Sequence, residues 1–581
     1  MIQRNDNDFI IIKVKLVRES KNIENDWLTK TTGDPFADTG GFVIKYLWSL
    51  PYLEDKDIIG LIDYVANIYV NKWGGKLHAF FLNSTITQPA FKGQRKIDET
   101  LKYYRSLIDE SIYHQKGYCR ISGRKTKLFS AGRDNHILSG SGTFVNFHHN
   151  FESGLFLSKE MMIRMFFVPL GVILIGKNIG LIQSNRIDVQ EYFVKKALLG
   201  VDGILSKITN SLPSKGVLRC SYSNPAIAIF SFADECISNM KIATFDQETE
   251  EAESEGVILN LYYFSNYGTD PNIQLFTMPA SLFKFYTKCT NNPNYQPDWR
   301  LFIKHNYIKY QGYKPNYNQD KESYIEKANE IIEMKNNVYE LLSQNNDLNF
   351  NIAKVGEDKG FAHFNKGDYD NWKQKSKNYS NWQKESSVKS LLNETPIKTK
   401  KGDFILNYQI EDCSKKWVNI IYEKLLKQES ILPNIANYLR KWHKTNSFNF
   451  KIVKLYTLNI LKMKSSTLTL IEKVADEVLK DESNLKKNLN QNISTSRYET
   501  LRSFIIKLIR QNHKAGAENP IITLEEYVQD LFYEGGNWRE IRDLLLICLF
   551  QKMHERKIFF DIEEDDELEE DINEFETETI N

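Results

Sequence analysis

Residues 161–175 read MMIRMFFVPLGVILI. The run is strongly apolar, so it belongs in a core. Pro169 and Gly171 divide it, because proline removes a backbone donor and blocks a continuing helix. A buried helix followed by a strand is the expectation. With Arg164 and Pro169 inside it, the run is short for a membrane span. Working outward, Asp57 to Lys72 carries helical spacing in Ile58, Ile59, Leu61, Ile62, Val65, Ile68 and Tyr69, ended by Trp73, Gly74 and Gly75. Phe9 to Val17 is strand-like, His78 to Leu82 reads as a short strand, and Asp98 to Tyr113 as a helix. Val257 to Phe264 and Ile273 to Met278 are rich in β-formers.

Asp320 to Leu342 switches to a charged helical pattern, followed by a polar stretch from Ser343 to Lys401. Beyond about Tyr408, apolar residues recur at three-to-four spacing in Ile420–Leu426, Ile435–Trp442, Val453–Leu461, Leu468–Leu479, Tyr498–Ile509, Leu524–Phe532 and Trp538–Met553. Such helices bury their apolar faces most simply against one another, as a bundle. The expected fold class is α+β, a mixed α/β N-terminal region followed by a C-terminal helical bundle. The expected divisions are 1–342 for recognition and assembly, 343–407 as a polar linker or small lobe, 408–560 as the bundle and 561–581 as an acidic disordered tail.

A chain of 581 residues suggests two to four domains, and 41% apolar with 26% charged residues fits a folded soluble protein. The formal charge of +1 hides an asymmetry. Twelve of the 75 acidic residues lie in 561–581, which has no Lys or Arg, so the remainder holds 76 basic against 63 acidic side chains. A basic body with an acidic tail is compatible with a polyanion partner, and equally with a solubilising tail on an ordinary protein. Cysteines at 119, 220, 236, 289, 413 and 548 show no tight spacing, so neither a disulfide framework nor a thiolate knuckle is indicated. No signal peptide or membrane span is evident, and a cytoplasmic location is the expectation.

Two segments concentrate the chemistry. Thr32–Gly41 reads TGDPFADTGG, and Gly132–Asn150 reads GRDNHILSGSGTFVNFHHN. In the first, Gly33 to Phe36 is expected to turn, and Asp38 or Thr39 to cap a helix. In the second, His136, His148 and His149 with Asp134 or Glu152 are candidates for metal or catalytic chemistry, yet no metal signature or nucleophile elbow is completed. Gly140 to Thr143 lacks the lysine of a nucleotide-triphosphate loop, though its amides suit a nucleic-acid phosphate. Lys72, Trp73 and Lys76 place two bases and an aromatic around Gly74 and Gly75, with Asn83 beyond. Basic residues recur at Arg124, Lys125, Lys127 and Arg133, and again at Arg497, Arg502, Lys507, Arg510 and Lys514. A solvated helix face looks the same in sequence.

TGDPFADTGG, the block GRDNHILSGSGTFVNFHHNFESG and the following FFVPLG together resemble the large subunit of type I-B CRISPR effector (Cascade) complexes, in the branch named for paired CXXC motifs. Here both motifs are degenerate: Cys119-Arg-Ile-Ser122 and Cys220-Ser-Tyr-Ser223 keep one thiol each. Hydroxyls replace thiolates poorly, so no structural zinc and no other cofactor is expected.

The resemblance implies a non-catalytic subunit of an RNA-guided antiviral surveillance complex. Such a subunit recognises the protospacer-adjacent motif in double-stranded DNA, aids duplex opening into an R-loop and supports recruitment of a separate helicase–nuclease. It implies as partners CRISPR RNA, target DNA, the backbone and other Cascade subunits, and a small subunit arising by internal initiation, for which Met463 is a candidate start. Guide pairing then supplies long sequence specificity, and protein contacts read only a short feature. On that basis the DNA-recognition candidates are Lys72, Trp73, Lys76, Asn83, Asn135, His136, Ser139, Ser141, Asn146 and His148. The phosphate-contact candidates are Arg124, Lys125, Lys127, Arg133, Arg497, Arg502, Lys507, Arg510 and Lys514. The alternatives are a structural assembly subunit that does not read the motif, and a metal-dependent nuclease built on His136, His148 and His149.

Overall fold

The computed structural model describes residues 23–137, 155–199, 216–220, 222, 224–240, 243–245, 252–254, 256–265, 272–309, 417–442, 448–532 and 536–558. The N-terminal region opens with helices α1 (Asp26–Thr29), α2 (Pro35–Trp48), α3 (Ile58–Asn67) and α4 (Gln94–Ile108). Asp34 caps α2 by accepting from the Ala37 amide at 2.7 Å, and Pro35 supplies a pre-set first helical position. The helix therefore starts ahead of the expected caps Asp38 and Thr39, because Asp34 and Pro35 nucleate it first. Asp57 caps α3 from the Gly60 amide at 2.8 Å. A π-turn at Ile68–Lys72 prolongs α3, and Gly74 and Gly75, with φ of 62° and 72°, then reverse the chain. His78–Leu82 is not a strand: the amides of Phe80 and Phe81 both bond back to the Leu77 carbonyl at 2.9 Å, which closes a turn.

Strands β1 (Gln115–Tyr118), β2 (Lys125–Ala131) and β3 (Leu155–Leu157) form a three-stranded sheet in that order, antiparallel throughout. The run 161–175 follows as helix α5 (Lys159–Phe167), a 3-10 turn at Val168–Leu170 and strand β4 (Ile173–Ile175), with Pro169 and Gly171 at the break. Next come β5 (Asn178–Ser184), α6 (Ile187–Leu199), β6 (Leu218–Arg219) and α7 (Pro225–Ser238). After β7 (Ala243–Phe245) and β8 (Ala252–Ser254) come β9 (Leu259–Ser265) and β10 (Asn272–Met278). The second sheet runs β10-β9-β5-β4-β6, with β6 parallel to β4 and β5 antiparallel to both β4 and β9.

Every residue of α5 is buried, including Lys159, Glu160 and Arg164. Helix α2 packs on it at close range. A Cβ on Gly40 would sit 2.1 Å from the Arg164 carbonyl oxygen, and one on Gly171 would sit 2.7 Å from the Thr39 methyl. Thr39-Gly40-Gly41 is therefore the flat contact through which two helix backbones approach.

The helical region comprises α8 (Ala280–Asn291), α9 (Gln296–His305), α10 (Ile420–Lys427), α11 (Leu432–Trp442), α12 (Lys451–Asn459), α13 (Ser465–Val478), α14 (Tyr498–Lys514) and α15 (Trp538–Glu555). A short ribbon of β11 (Tyr307–Lys309) and β12 (Trp417–Asn419) joins it. Helix α15 buries Ile541, Leu544, Leu545, Leu546, Ile547, Leu549, Phe550 and Met553, and packs on α11 and α13. Phe285, Trp299, Phe302, Tyr438, Phe448 and Tyr456 form a chain of ring contacts across α8, α9, α11 and α12.

The chain divides into two compact units, Met1–Ile229 with Ile258–Thr277 and Lys327–Lys415, and Phe230–Val257 with Met278–Glu326 and Lys416–Asn581. The helical unit thus recruits α8 and α9 from well ahead of residue 408, because their aromatic faces find partners there. Phe9–Val17, Asp320–Leu342, the polar stretch 343–407 and the acidic tail 561–581 lie outside the described residues. No helix of the described residues is long and apolar enough to cross a membrane.

Candidate nucleic-acid interface

TGDPFADTGG is a clasp. Asp38 accepts from the Thr32 amide, the Thr32 hydroxyl and the Gly33 amide, each at 2.8 Å. Its Oδ1 also faces Arg164 Nη1 at 3.4 Å. The Arg164 side chain is fully buried. It donates through Nε to the Leu28 carbonyl at 2.9 Å and through Nη2 to the Lys30 carbonyl. Burial lowers the Arg164 pKa to about 10, with Asp38, Asp34 and Glu160 opposing, so it stays charged at neutral pH. Burial raises the Asp34 carboxyl above its usual range. These acids hold α1, α2 and α5 together, and nothing in their geometry offers them to a ligand.

The segment Gly132–Ile137 is the described start of the long polar block. Asn135 accepts from the Gly132 amide at 2.8 Å and donates to the Tyr103 hydroxyl at 2.9 Å. Arg133 is exposed, but its Nε and Nη2 lie 2.9 and 3.0 Å from the Asn83 amide oxygen when that amide is turned to accept. The Arg133 carbonyl also takes the Leu82 amide at 2.8 Å. Burial lowers the His136 pKa to about 4, so the ring is neutral at neutral pH, with Nδ1 at 2.8 Å from the Ile137 carbonyl oxygen. Ser139, Ser141, Asn146, His148 and His149 lie outside the described residues. Among the described residues, no group of three or more His, Cys, Asp or Glu converges as a metal site.

In the Lys72–Lys76 turn, both lysines are exposed while Trp73 is 5% exposed, its ring 5.1 Å from that of Tyr69. Trp73 therefore does not stand ready to stack on a base. Its indole closes the core beneath the turn.

The basic cluster around residue 124 divides. Arg124 turns inward, paired with Glu24, 3.7 Å from Glu160 and over the Trp27 ring at 4.6 Å. Lys127 pairs with Glu110 at 2.5 Å, and Lys159 takes the other oxygen at 2.7 Å. These two donors lower the Glu110 carboxyl below its usual range. Lys125 remains exposed at the start of β2. The Cys119–Ser122 turn closes through the Ser122 amide to Cys119 Sγ at 3.5 Å and the Gly123 amide to the Cys119 carbonyl at 2.9 Å. Tyr113, Lys116 and Tyr118, beside this turn, are not among the candidates drawn from sequence. Two tyrosines flanking Lys116 within the six residues 113–118 are the signal available for them.

Helix α14 holds the second set. It buries Leu501, Phe504, Ile505, Leu508 and Asn512, and turns Lys507, Arg510 and Lys514 to solvent at i, i+3 and i+7 along one face. These three make no ion pair among the described residues. Arg502 is exposed at the edge of the same face, and the neighbouring Tyr527 side chain raises its pKa. Arg497 stands exposed at the N-cap, where the helix dipole disfavours a cation, whereas Lys514 lies at the favourable end.

The family model described as the DevT C-terminal domain matches residues 441–581, which include α14 and α15. No curated protein and no solved structure matches the chain at a significant level.

Proposed function

We propose that this chain is a non-catalytic large subunit of a type I-B CRISPR RNA-guided surveillance complex, which recognises the protospacer-adjacent motif in duplex DNA, aids strand opening and supports recruitment of a separate helicase–nuclease. The observation that carries the nucleic-acid part is the α14 face. Lys507, Arg510 and Lys514 lie in line, exposed and without ion pairs among the described residues, over a fully packed apolar side. Such a face suits a phosphate backbone, which supplies affinity without reading sequence. The exposed Lys72, Lys76 and Lys125 supply similar contacts from the N-terminal unit. The resemblance of TGDPFADTGG, the Gly132–Gly154 block and FFVPLG to the large-subunit family supplies the complex and its partners, CRISPR RNA and the other Cascade subunits. Met463 lies between α12 and α13, so a product begun there would open just ahead of α13.

A second reading, an assembly subunit that does not read the motif, is favoured by Asn83, Asn135 and Arg133, whose polar atoms are engaged within the fold. Co-expression with neighbouring genes and a CRISPR array, followed by pull-down, tests the proposal. A stable RNA-containing assembly supports it. No assembly across several salt and expression conditions removes it.

A further inference from the structure

The β1–β2 hairpin presents a face that neither the clasp nor the α14 stripe accounts for. Antiparallel register sets Tyr118 opposite Lys125 and Lys116 opposite Lys127. Alternation along both strands puts these four residues on one side of the ribbon. Tyr118 is 66% exposed, and Tyr113, just ahead of β1, is 47% exposed. Lys125 Nζ lies 6.0 Å from the Tyr118 ring centroid and Lys127 Nζ lies 5.0 Å from that of Tyr113. Lys116 and Lys125 are exposed and make no ion pair among the described residues.

The support beneath this face is stiff. His114 stacks on Phe156 with ring centroids 4.8 Å apart. Gly117 fits flush against Leu128, since a Cβ there would meet its methyl at 3.0 Å. Inward-turned Arg124 ties the hairpin end to Glu24, and Glu110 binds Lys127 and Lys159 together. The cations thus fall into two sets, one spent on holding the hairpin and one left on its outer face.

We propose that this face binds single-stranded nucleic acid, with bases stacked on Tyr113 and Tyr118 and phosphates on Lys116 and Lys125. The inference rests on the nucleic-acid reading under Proposed function and deepens it by naming unpaired strand as the ligand of the hairpin. Exposed rings need a free base face, which a duplex keeps within its own stack, so the tyrosines select unpaired nucleotides. Lysines at this spacing neutralise phosphates and carry no bidentate reading of base edges, so binding is sequence-tolerant. An acidic peptide would satisfy the lysines and leave both rings without a role.

The test is fluorescence anisotropy of the full-length chain with labelled oligo-dT and oligo-rU of about 15 nucleotides, near the upper site size of a single-strand groove. Replacing Tyr113→Ala and Tyr118→Ala together weakens binding by about tenfold or more per ring, and Tyr→Phe at both positions preserves it. Lys116→Gln with Lys125→Gln lowers the slope of log affinity against log salt by about 1.4, at about 0.7 per phosphate contact. Affinity for a blunt duplex stays unchanged in the tyrosine variants. Both tyrosines are on the surface, so these variants keep the fold, which their thermal midpoints verify.

Wild-type affinity in the double alanine variant overturns the inference. So does equal loss in the phenylalanine variant, or poly-glutamate binding that depends on the same rings. The same variant is scored for assembly with guide RNA. Intact assembly with unchanged oligonucleotide affinity removes the hairpin assignment alone, whereas a wild-type chain that never assembles removes the proposed complex and leaves the oligonucleotide result to judge the hairpin.

Discussion

The two basic regions of this molecule use their charge in opposite ways. In the N-terminal unit, Arg164, Arg124, Lys159 and Lys127 turn toward carboxylates and carbonyls of the same unit. On α14, Lys507, Arg510 and Lys514 face solvent and make no ion pair among the described residues. Runs rich in Lys and Arg thus give a stapled core in one place and a cationic surface in the other. The difference follows from what packs nearby. The elements around α5 bring Glu24, Asp38, Glu110 and Glu160 within reach of cations, whereas the Lys507, Arg510 and Lys514 side chains on the outer face of α14 are exposed.

The largest expected effect lies at the clasp. Asp38→Ala leaves the Arg164 guanidinium buried without its carboxylate and strips three donors of their acceptor. The expected loss is about 3–5 kcal/mol in urea denaturation. A loss below ~1 kcal/mol would mean that the buried arginine is satisfied by the Leu28 and Lys30 carbonyls alone. Gly40→Ala pushes a methyl into the Arg164 backbone and is expected to cost about 1–3 kcal/mol, read as a lower denaturation midpoint at unchanged m.

The α14 stripe behaves inversely. Lys507→Gln, Arg510→Gln and Lys514→Gln together leave stability within about 0.5 kcal/mol per site. They lower the salt slope of duplex binding by up to about 2.7, at about 0.9 per phosphate lost. An unchanged slope would place the phosphate contacts elsewhere. Deleting 561–581 sharpens this result: tighter non-specific DNA binding identifies the acidic tail as a competitor for the stripe, and unchanged binding assigns it no such role.

The smallest effect is pH-dependent. Hydrogen bonds from Lys127 and Lys159 lower the folded-state pKa of Glu110 below its ordinary value of 4.5. Its contribution is therefore present above that value and is lost as pH falls through the folded pKa. The stability gap between the native chain and Glu110→Gln is about 1 kcal/mol near pH 6, partly screened by solvent, and closes as pH falls below 4.5. A gap that stays constant over this range would contradict the shared-carboxylate account.

Much of the architecture was legible because it is local. Pro169 and Gly171 marked the helix-to-strand break, and three-to-four spacing located α10 to α15. His78–Leu82 was misread because an apolar run says nothing about Leu77, whose carbonyl closes the turn. The helix start at Pro35 was missed because Asp38 is as good a cap as Asp34, and only the buried Arg164 shows why Asp38 is engaged elsewhere. The candidate site was less legible. Arg124 and Lys125 are neighbours in sequence, yet one meets Glu24, a hundred residues away, and the other faces solvent. Trp73 has the residue type and turn context of a stacking ring in sequence, yet it is buried against Tyr69, while the rings of Tyr113 and Tyr118 are exposed. Pairings over such separations arise from topology, which residue spacing does not encode.

The most direct test is selection of target DNA from a library randomised beside the guide-complementary sequence, using the complex purified through this chain. Enrichment of one short flanking motif, dependent on the presence of this subunit, is the predicted result. An RNA-containing complex that retains target DNA with no flanking preference would contradict motif recognition by this chain and leave it an assembly role.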